Sequence, residues 1–212
     1  MVGGELGPWM AAQGTQGIQR LDSIDFNVQE LSNLSVPTRK RRLLAVMFTD
    51  MKGFSDLAAL DEDAALDTLR SHNQIMKPLV STYRGTVLKT IGDSVMGKFS
   101  AASDALDCAL EMQLRLKRWN IARPRHKQMR VRIGVHVGDV VVVKNDIFGV
   151  VTNLAKRLES VSPAGHVCCT DAARLMVLHL PRYKFKSSGS WKPKGARREI
   201  EFYSVALARD YR

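Results

Sequence analysis

Two aspartates, an asparagine and an arginine stand where their chemistry can combine. Asp50 follows an unbroken apolar run, Leu43–Phe48, and precedes Gly53-Phe54-Ser55. Asp93 belongs to a Gly92-Asp93 pair between two short alternating runs, Gly85–Ile91 and Ser94–Phe99. Two carboxylates at neighbouring strand ends are what a pair of Mg²⁺ ions bridging a triphosphate requires. Asn153 and Arg157 are spaced i, i+4 in VTNLAKRLE, so a helix puts them on one face. There an amide can orient a ribose and a guanidinium can take up charge growing on a phosphate. Each feature also has a plainer reading. Asp50 can cap the helix that follows it, and Asp93 can be ordinary turn chemistry. Only together do they point to phosphoryl transfer.

The elements that must position these groups follow from pattern. Leu43–Phe48 has the length and continuity of a buried central strand. A glycine turn and a helix starting near Leu57 come next, an arrangement whose free N–H groups can cradle phosphate. The Gly92-Asp93 pair predicts a tight hairpin with the Asp93 carboxylate projecting from its tip, and alternation puts Lys89 on the matching parity. Leu57–Tyr83 reads as a helix in two pieces broken near Leu60-Asp61, with Pro78 bending or breaking the second piece. Ala101–Trp119 reads as an amphipathic helix and Arg123–Gln128 as a basic loop. Met129–Val143 reads as two paired strands turning at Gly138-Asp139, with a structural role for His136. A helix from Gly149 is ended by Pro163-Ala164-Gly165. The strand His166–Thr170, the short helix Asp171–Leu178 and the strands Tyr183–Lys186 and Glu199–Val205 complete the chain. This alternation predicts an α+β fold: a mixed sheet covered on one side by helices, around a βαββαβ ferredoxin-like core.

Composition fits one domain, residues 41–208, behind a separate N-terminal extension of residues 1–40 whose start is glycine-rich and flexible. No apolar run approaches the ~20 residues of a membrane span, and no signal-peptide pattern opens the chain. Cys108, Cys168 and Cys169 form an odd set without metal-ligand spacing and read as reduced core thiols of a cytoplasmic protein. The net charge is +11, with a basic run lacking any acidic residue from Met112 to Gly138. Without interleaved aromatics, the run reads as a solvated face attractive to polyanionic nucleotide rather than a sequence-specific nucleic-acid reader.

Three motifs in this order, FTDMKGFS, LKTIGDSVM and NDIFGVVTNLAKRLE, resemble the catalytic domain of class III nucleotidyl cyclases from roughly Arg41 to Ala206. The resemblance implies a homodimeric adenylate cyclase converting ATP to 3′,5′-cyclic AMP and pyrophosphate. It implies two Mg²⁺ ions per site, replaceable by Mn²⁺, on Asp50, the Met51 backbone and Asp93. Gly53, Phe54 and Ser55 would hold the β- and γ-phosphates. Lys194, matching a family Lys-Gly pair, would reach the terminal phosphates, with Lys192 as the competing candidate. Asn153 and Arg157 would serve the ribose and α-phosphate. Lys89 and Asp146 would choose adenine, because a lysine donor and an aspartate acceptor match its N1 and 6-amino edge. By the same resemblance the aspartates come from one protomer and Lys89, Asp146, Asn153, Arg157 and Lys194 from the other, in a head-to-tail dimer. Val143 runs almost directly into Asp146, so the dimer arm is short, as in a bacterial subset. The alternatives are a guanylate cyclase, a catalytically silent regulatory cyclase-like domain, and a ferredoxin-like nucleic-acid module with steep salt dependence. The signature of GGDEF-type diguanylate cyclases is absent from the sequence.

Overall fold

Leu43–Phe48 is the middle of a longer strand, β1, Lys40–Met51, third in order across the sheet. The computed structural model describes residues 40–144, 146–193 and 198–208. The N-terminal extension and Lys194 lie outside the described residues. After β1 the helix divides as its acidic residues predict, into α1 (Phe54–Leu60) and α2 (Glu62–Thr82). Asp61 caps α2 by accepting from the Ala64 N–H at 2.9 Å. Of the two expected outcomes at Pro78, a bend or a break, the break does not occur, and the helix runs on to Thr82. Met76, Leu79 and Val80 are buried around it, so packing carries the helix through the proline.

The hairpin of β2 (Thr86–Ile91) and β3 (Ser94–Phe99) turns at Gly92-Asp93, where Gly92 has a φ of 57°. Helix α3 (Ala102–Asn120) follows, then β4 (Val131–Val143). Here the sequence reading fails: Gly138-Asp139 is no turn. β4 runs unbroken through both residues and pairs with β1, Gly138 opposite Leu44. The chain turns instead at Lys144, φ 53°, and returns as β5 (Asp146–Phe148), with Val143 opposite Asp146. Helix α4 (Val150–Val161), β6 (Val167–Thr170), α5 (Asp171–Val177), β7 (Tyr183–Trp191) and β8 (Ile200–Leu207) complete the fold. β7 extends to Trp191, five residues past its expected end at Lys186, because it pairs with β8 on both sides of a bulge between Ser187 and Gly189.

The strand order is β2-β3-β1-β4-β6-β8-β7, with β5 paired to β4. β4 and β6 are parallel, and the neighbours of β1 run antiparallel to it. The first four strands keep the expected βαββαβ core. The expectation of helices on one side only is wrong, and strand parity shows why. Ala45, Met47 and Met51 pack with α2, α3 and α5. The alternate residues Leu44, Val46 and Phe48 pack with Met96, Val140, Ile147 and the α4 residues Val151 and Ala155. Helix α4 therefore covers the opposite face. Glycine lets it approach: a Cβ on Gly134 would lie 2.4 Å from the Glu159 backbone nitrogen, and one on Gly138 would lie 2.6 Å from Val151 Cγ2. Gly138 is thus a packing glycine rather than a turn glycine.

Cys108, Cys168 and Cys169 are buried free thiols. Cys169 lies in the α2/α3/α5 core, whereas its neighbour Cys168 packs with Leu158 of α4 and Phe202. Burial pushes the Cys108 thiol up to about 12 and raises Cys169 as well. No helix among the described residues is long and apolar enough to cross a membrane.

Candidate active site

Asp50 shares the parity of Phe48, so the end of β1 delivers it to the α4 face. The hairpin tip brings Asp93 beside it. The Asp93 carboxylate does not project freely from the turn: Oδ2 accepts from the Met51 N–H at 2.6 Å. The next residues fasten the hairpin further, with Ser94 Oγ donating to the Thr49 carbonyl at 2.8 Å and the Val95 N–H to Thr49 Oγ1 at 3.2 Å. Burial raises the Asp93 pKa above the ordinary carboxylate value, the Met51 N–H opposes it, and the charge of Asp50 adds to the rise. Two like charges held together this way fit a divalent cation between them. Among the described residues there is no group of three or more metal-ligating side chains.

Asp50 does not cap α1. Gly53 occupies that position, with φ 81° and no side-chain cap, and leads directly into Phe54 and Ser55. The glycine turn lies where the sequence places it, but the helix begins at Phe54, three residues before the expected start near Leu57.

The second grouping forms around β2. Lys89 Nζ lies 2.9 Å from Asp146 Oδ2, while Asp146 Oδ1 accepts from the Ile147 N–H at 2.8 Å. The Lys89 ammonium holds the Asp146 carboxyl below its ordinary value, helped by that N–H. Simple alternation does not place Lys89. A bulge between Val87 and Lys89 sets Lys89 opposite Met96. Val87 consequently packs on the α2/α3/α5 side and Leu88 on the α4 side. A cleft of about 510 Å³ is lined by Phe48, Asp50, Lys89, Ser94, Ile147, Asn153 and Lys156, among others. Arg157 is exposed one turn beyond Asn153 on α4. The structure thus gathers Asp50, Lys89 and Asn153 at one cleft and leaves Arg157 on the open surface. Lys192 is exposed just past β7.

His136 is buried, its Nδ1 2.7 Å from Thr170 Oγ1, in keeping with a structural role. The basic run is the exposed face expected from its composition, with Arg115, Lys117, Arg118, Arg123, Arg125, Lys127 and Arg130 all exposed and only Arg132 partly buried. Arg115 pairs with Glu111 at 2.6 Å, and Arg123 stacks 3.5 Å over Trp119.

Sequence reasoning missed the most consequential member of that run. Arg132 lies opposite Asp50 in the β1/β4 ladder and binds its Oδ2. Arg132 Nε is also 3.2 Å from Oε1 of the buried Glu159, and Lys156 Nζ is 2.8 Å from Glu159 Oε2 and 3.7 Å from Asp50 Oδ1. Burial pushes the Glu159 carboxyl up and Lys156 draws it back. The signal was present: Arg132 has the parity that faces α4, and Lys156 and Glu159 are i, i+3 on one helix face.

The fold, the paired carboxylates and the cleft are those of a nucleotide-processing domain. The chain belongs to the adenylate and guanylate cyclase catalytic domain family, whose profile matches residues 36–206. A Rhizobium meliloti (strain 1021) protein with an adenylate cyclase name is 30% identical over 166 residues, which cover 78% of this chain and 28% of that protein. An adenylate/guanylate cyclase/hydrolase from Silicibacter pomeroyi superposes with a TM-score of 0.72 at 32% identity, covering 78% of this chain and 97% of that one. The adenylyl cyclase CyaB from P. aeruginosa gives 0.68 at 27%, covering 80% and 96%. Guanylyl cyclase Cya2, at 21% identity, shares the fold.

Proposed function

We propose that this domain is an adenylate cyclase that converts ATP to cyclic AMP and pyrophosphate. The observation that carries the reading is the Lys89–Asp146 pair at the cleft. It sets a donor beside an acceptor, the complement of adenine N1 and the 6-amino group, whereas guanine presents the reverse. A mismatched base would leave both partners unpaired, which discriminates against it. The name of the Rhizobium relative and that of CyaB support the same substrate.

Asp50, Asp93 and the Met51 carbonyl would hold Mg²⁺, with Mn²⁺ as a substitute. When bound, the ions supply Lewis-acid chemistry that acidifies the ribose 3′-hydroxyl and neutralises the leaving pyrophosphate. The chain's own groups do the rest. Asn153 orients the ribose so that its 3′-oxygen faces the α-phosphorus. Arg157 takes up charge that develops on the α-phosphate. The Gly53–Ser55 backbone holds the β- and γ-phosphates, and Lys194 reaches the terminal one. The split of the site between two head-to-tail copies rests on the family resemblance. Arg157, exposed outside the cleft, accords with it, whereas Asn153 lines the same single-chain cleft as Asp50. The mixing test below decides between a shared site and one within a chain.

The test is a product assay with ATP and GTP given separately in Mg²⁺ or Mn²⁺. Cyclic AMP from ATP, abolished by Asp93→Ala, is expected; cyclic GMP would overturn the base-recognition reading. Asp50→Ala and Asn153→Ala should each be nearly inactive, and mixing them should restore part of the activity. No recovery between exchanging dimers would rule out shared sites.

A further inference from the structure

Both carboxylate oxygens of Asp50 are already engaged by cations, Arg132 at Oδ2 and Lys156 at Oδ1. The same two cations hold Glu159, so the four side chains close a ring of alternating charge. The cations are not equivalent. Arg132 reaches Asp50 directly from the neighbouring strand, and its side chain is 30% exposed. Lys156 reaches across from α4 on a flexible stem, is 44% exposed, and stands farther off at 3.7 Å. Its ammonium also lies 3.5 Å from Ser94 Oγ, next in the chain to Asp93, and 5.9 Å from the Phe48 ring centroid on the cleft wall. The more exposed and more distant positive charge of this ring therefore sits beside Asp50 and next to the residue that follows Asp93.

We propose that Lys156 is a built-in counter-cation that holds Asp50 until a divalent ion arrives and must leave Oδ1 for that ion to bind. The inference rests on Asp50 being a metal ligand. An ammonium has no lone pair to offer a metal, so the two compete for the same oxygen. Glu159 keeps the displaced lysine within the site, and Arg132 keeps Asp50 oriented through the exchange. Lys156 thereby sets the metal concentration at which the domain loads. It also keeps the paired aspartates from standing uncompensated in the empty cleft.

The experiment is a titration of the full chain with Mn²⁺ alone, free ion being followed by its electron paramagnetic resonance signal. Lys156→Met keeps the stem and removes the charge, and it should bind Mn²⁺ about tenfold more tightly than the native chain. Lys156→Arg keeps the charge and should stay within about twofold of the native chain. Asp50→Ala is the control for the reading beneath. If Asp50→Ala loses affinity while neither Lys156→Met nor Lys156→Met/Glu159→Gln gains any, the lysine inference is overturned and the metal ligand stands. If Asp50→Ala binds Mn²⁺ as the native chain does, the metal reading itself fails. Lys156→Met removes one partner of buried Glu159, so Lys156→Met/Glu159→Gln, which lifts that charge as well, is titrated beside it. Tighter binding is expected there too, and unchanged or weaker binding in both variants overturns the proposal.

Discussion

The two faces of the sheet are built on different terms. Beneath α2, α3 and α5 lies a broad apolar layer in which Met47, Met76, Leu106, Met112 and Leu116 are almost fully buried. Beneath α4 the apolar cluster is small, the helix rests on glycines, and a ring of four charges occupies the sheet end. Apolar volume tolerates small shifts in position; a charge ring next to a cleft does not. One face gives the domain its stability, and the other places charged groups with a precision the first does not need. Substitutions on the two faces should therefore separate stability from activity.

The largest effect on stability belongs to the apolar face. Leu106→Ala should destabilise the domain by about 3 kcal/mol, seen as a lower urea midpoint, while turnover per folded molecule stays near native. Lost turnover at full folding would break the division. Each layer also holds one buried histidine, His72 on α2 and His136 on β4, and burial lowers both to about 4. The folded state then resists protonation that the unfolded chain accepts below about 6.5. Stability contributed by these neutral rings is complete above that value and is lost as pH falls from 6.5 towards 4, by roughly 3 kcal/mol for each. His136→Gln should remove about half of that slope in a series of thermal melts, and an unchanged slope would contradict it.

Gly134→Ala sharpens the contrast from the other side. Its Cβ would meet the backbone of Glu159 and Ala155, at 2.4 and 2.9 Å, so α4 has to move as a body. A stability loss of about 2 kcal/mol is expected, with activity falling further than the folded fraction does. The smallest stability effect is at the cleft. Lys89→Ala breaks a half-exposed ion pair and should change the unfolding free energy by less than about 1 kcal/mol. It should nonetheless abolish the preference for ATP over GTP in competition assays.

Two identical dipeptides show how far the sequence could be read. Gly92-Asp93 and Gly138-Asp139 carry the same hairpin signal, and only the first is a turn. Glycine serves two needs, positive φ and close approach, and local sequence cannot tell which one operates. The second need is set by α4, which arrives later in the chain. The strand carrying Asp50, the hairpin carrying Asp93 and the helix carrying Asn153 were legible because each is written in local periodicity. Of the ion ring only fragments were legible, the parity of Arg132 and the i, i+3 spacing of Lys156 and Glu159, since Asp50, Arg132 and Glu159 lie far apart in sequence and meet only through the β1/β4 register and the crossing of α4. Lys89 could be singled out from the sequence, but the bulge that aims it was invisible, because a single unpaired residue leaves no compositional mark.

The adjacent thiols in β6 give the molecule a pair of chemical reporters. Cys168 and Cys169 are neighbours in the chain yet look into opposite layers, and both are sealed from solvent. A maleimide can reach Cys168 when α4 lifts from the sheet, whereas Cys169 waits for the larger core to open. The ratio of alkylation at the two positions, read by mass spectrometry of a single peptide, would distinguish a breathing α4 layer from a chain unfolding as a whole.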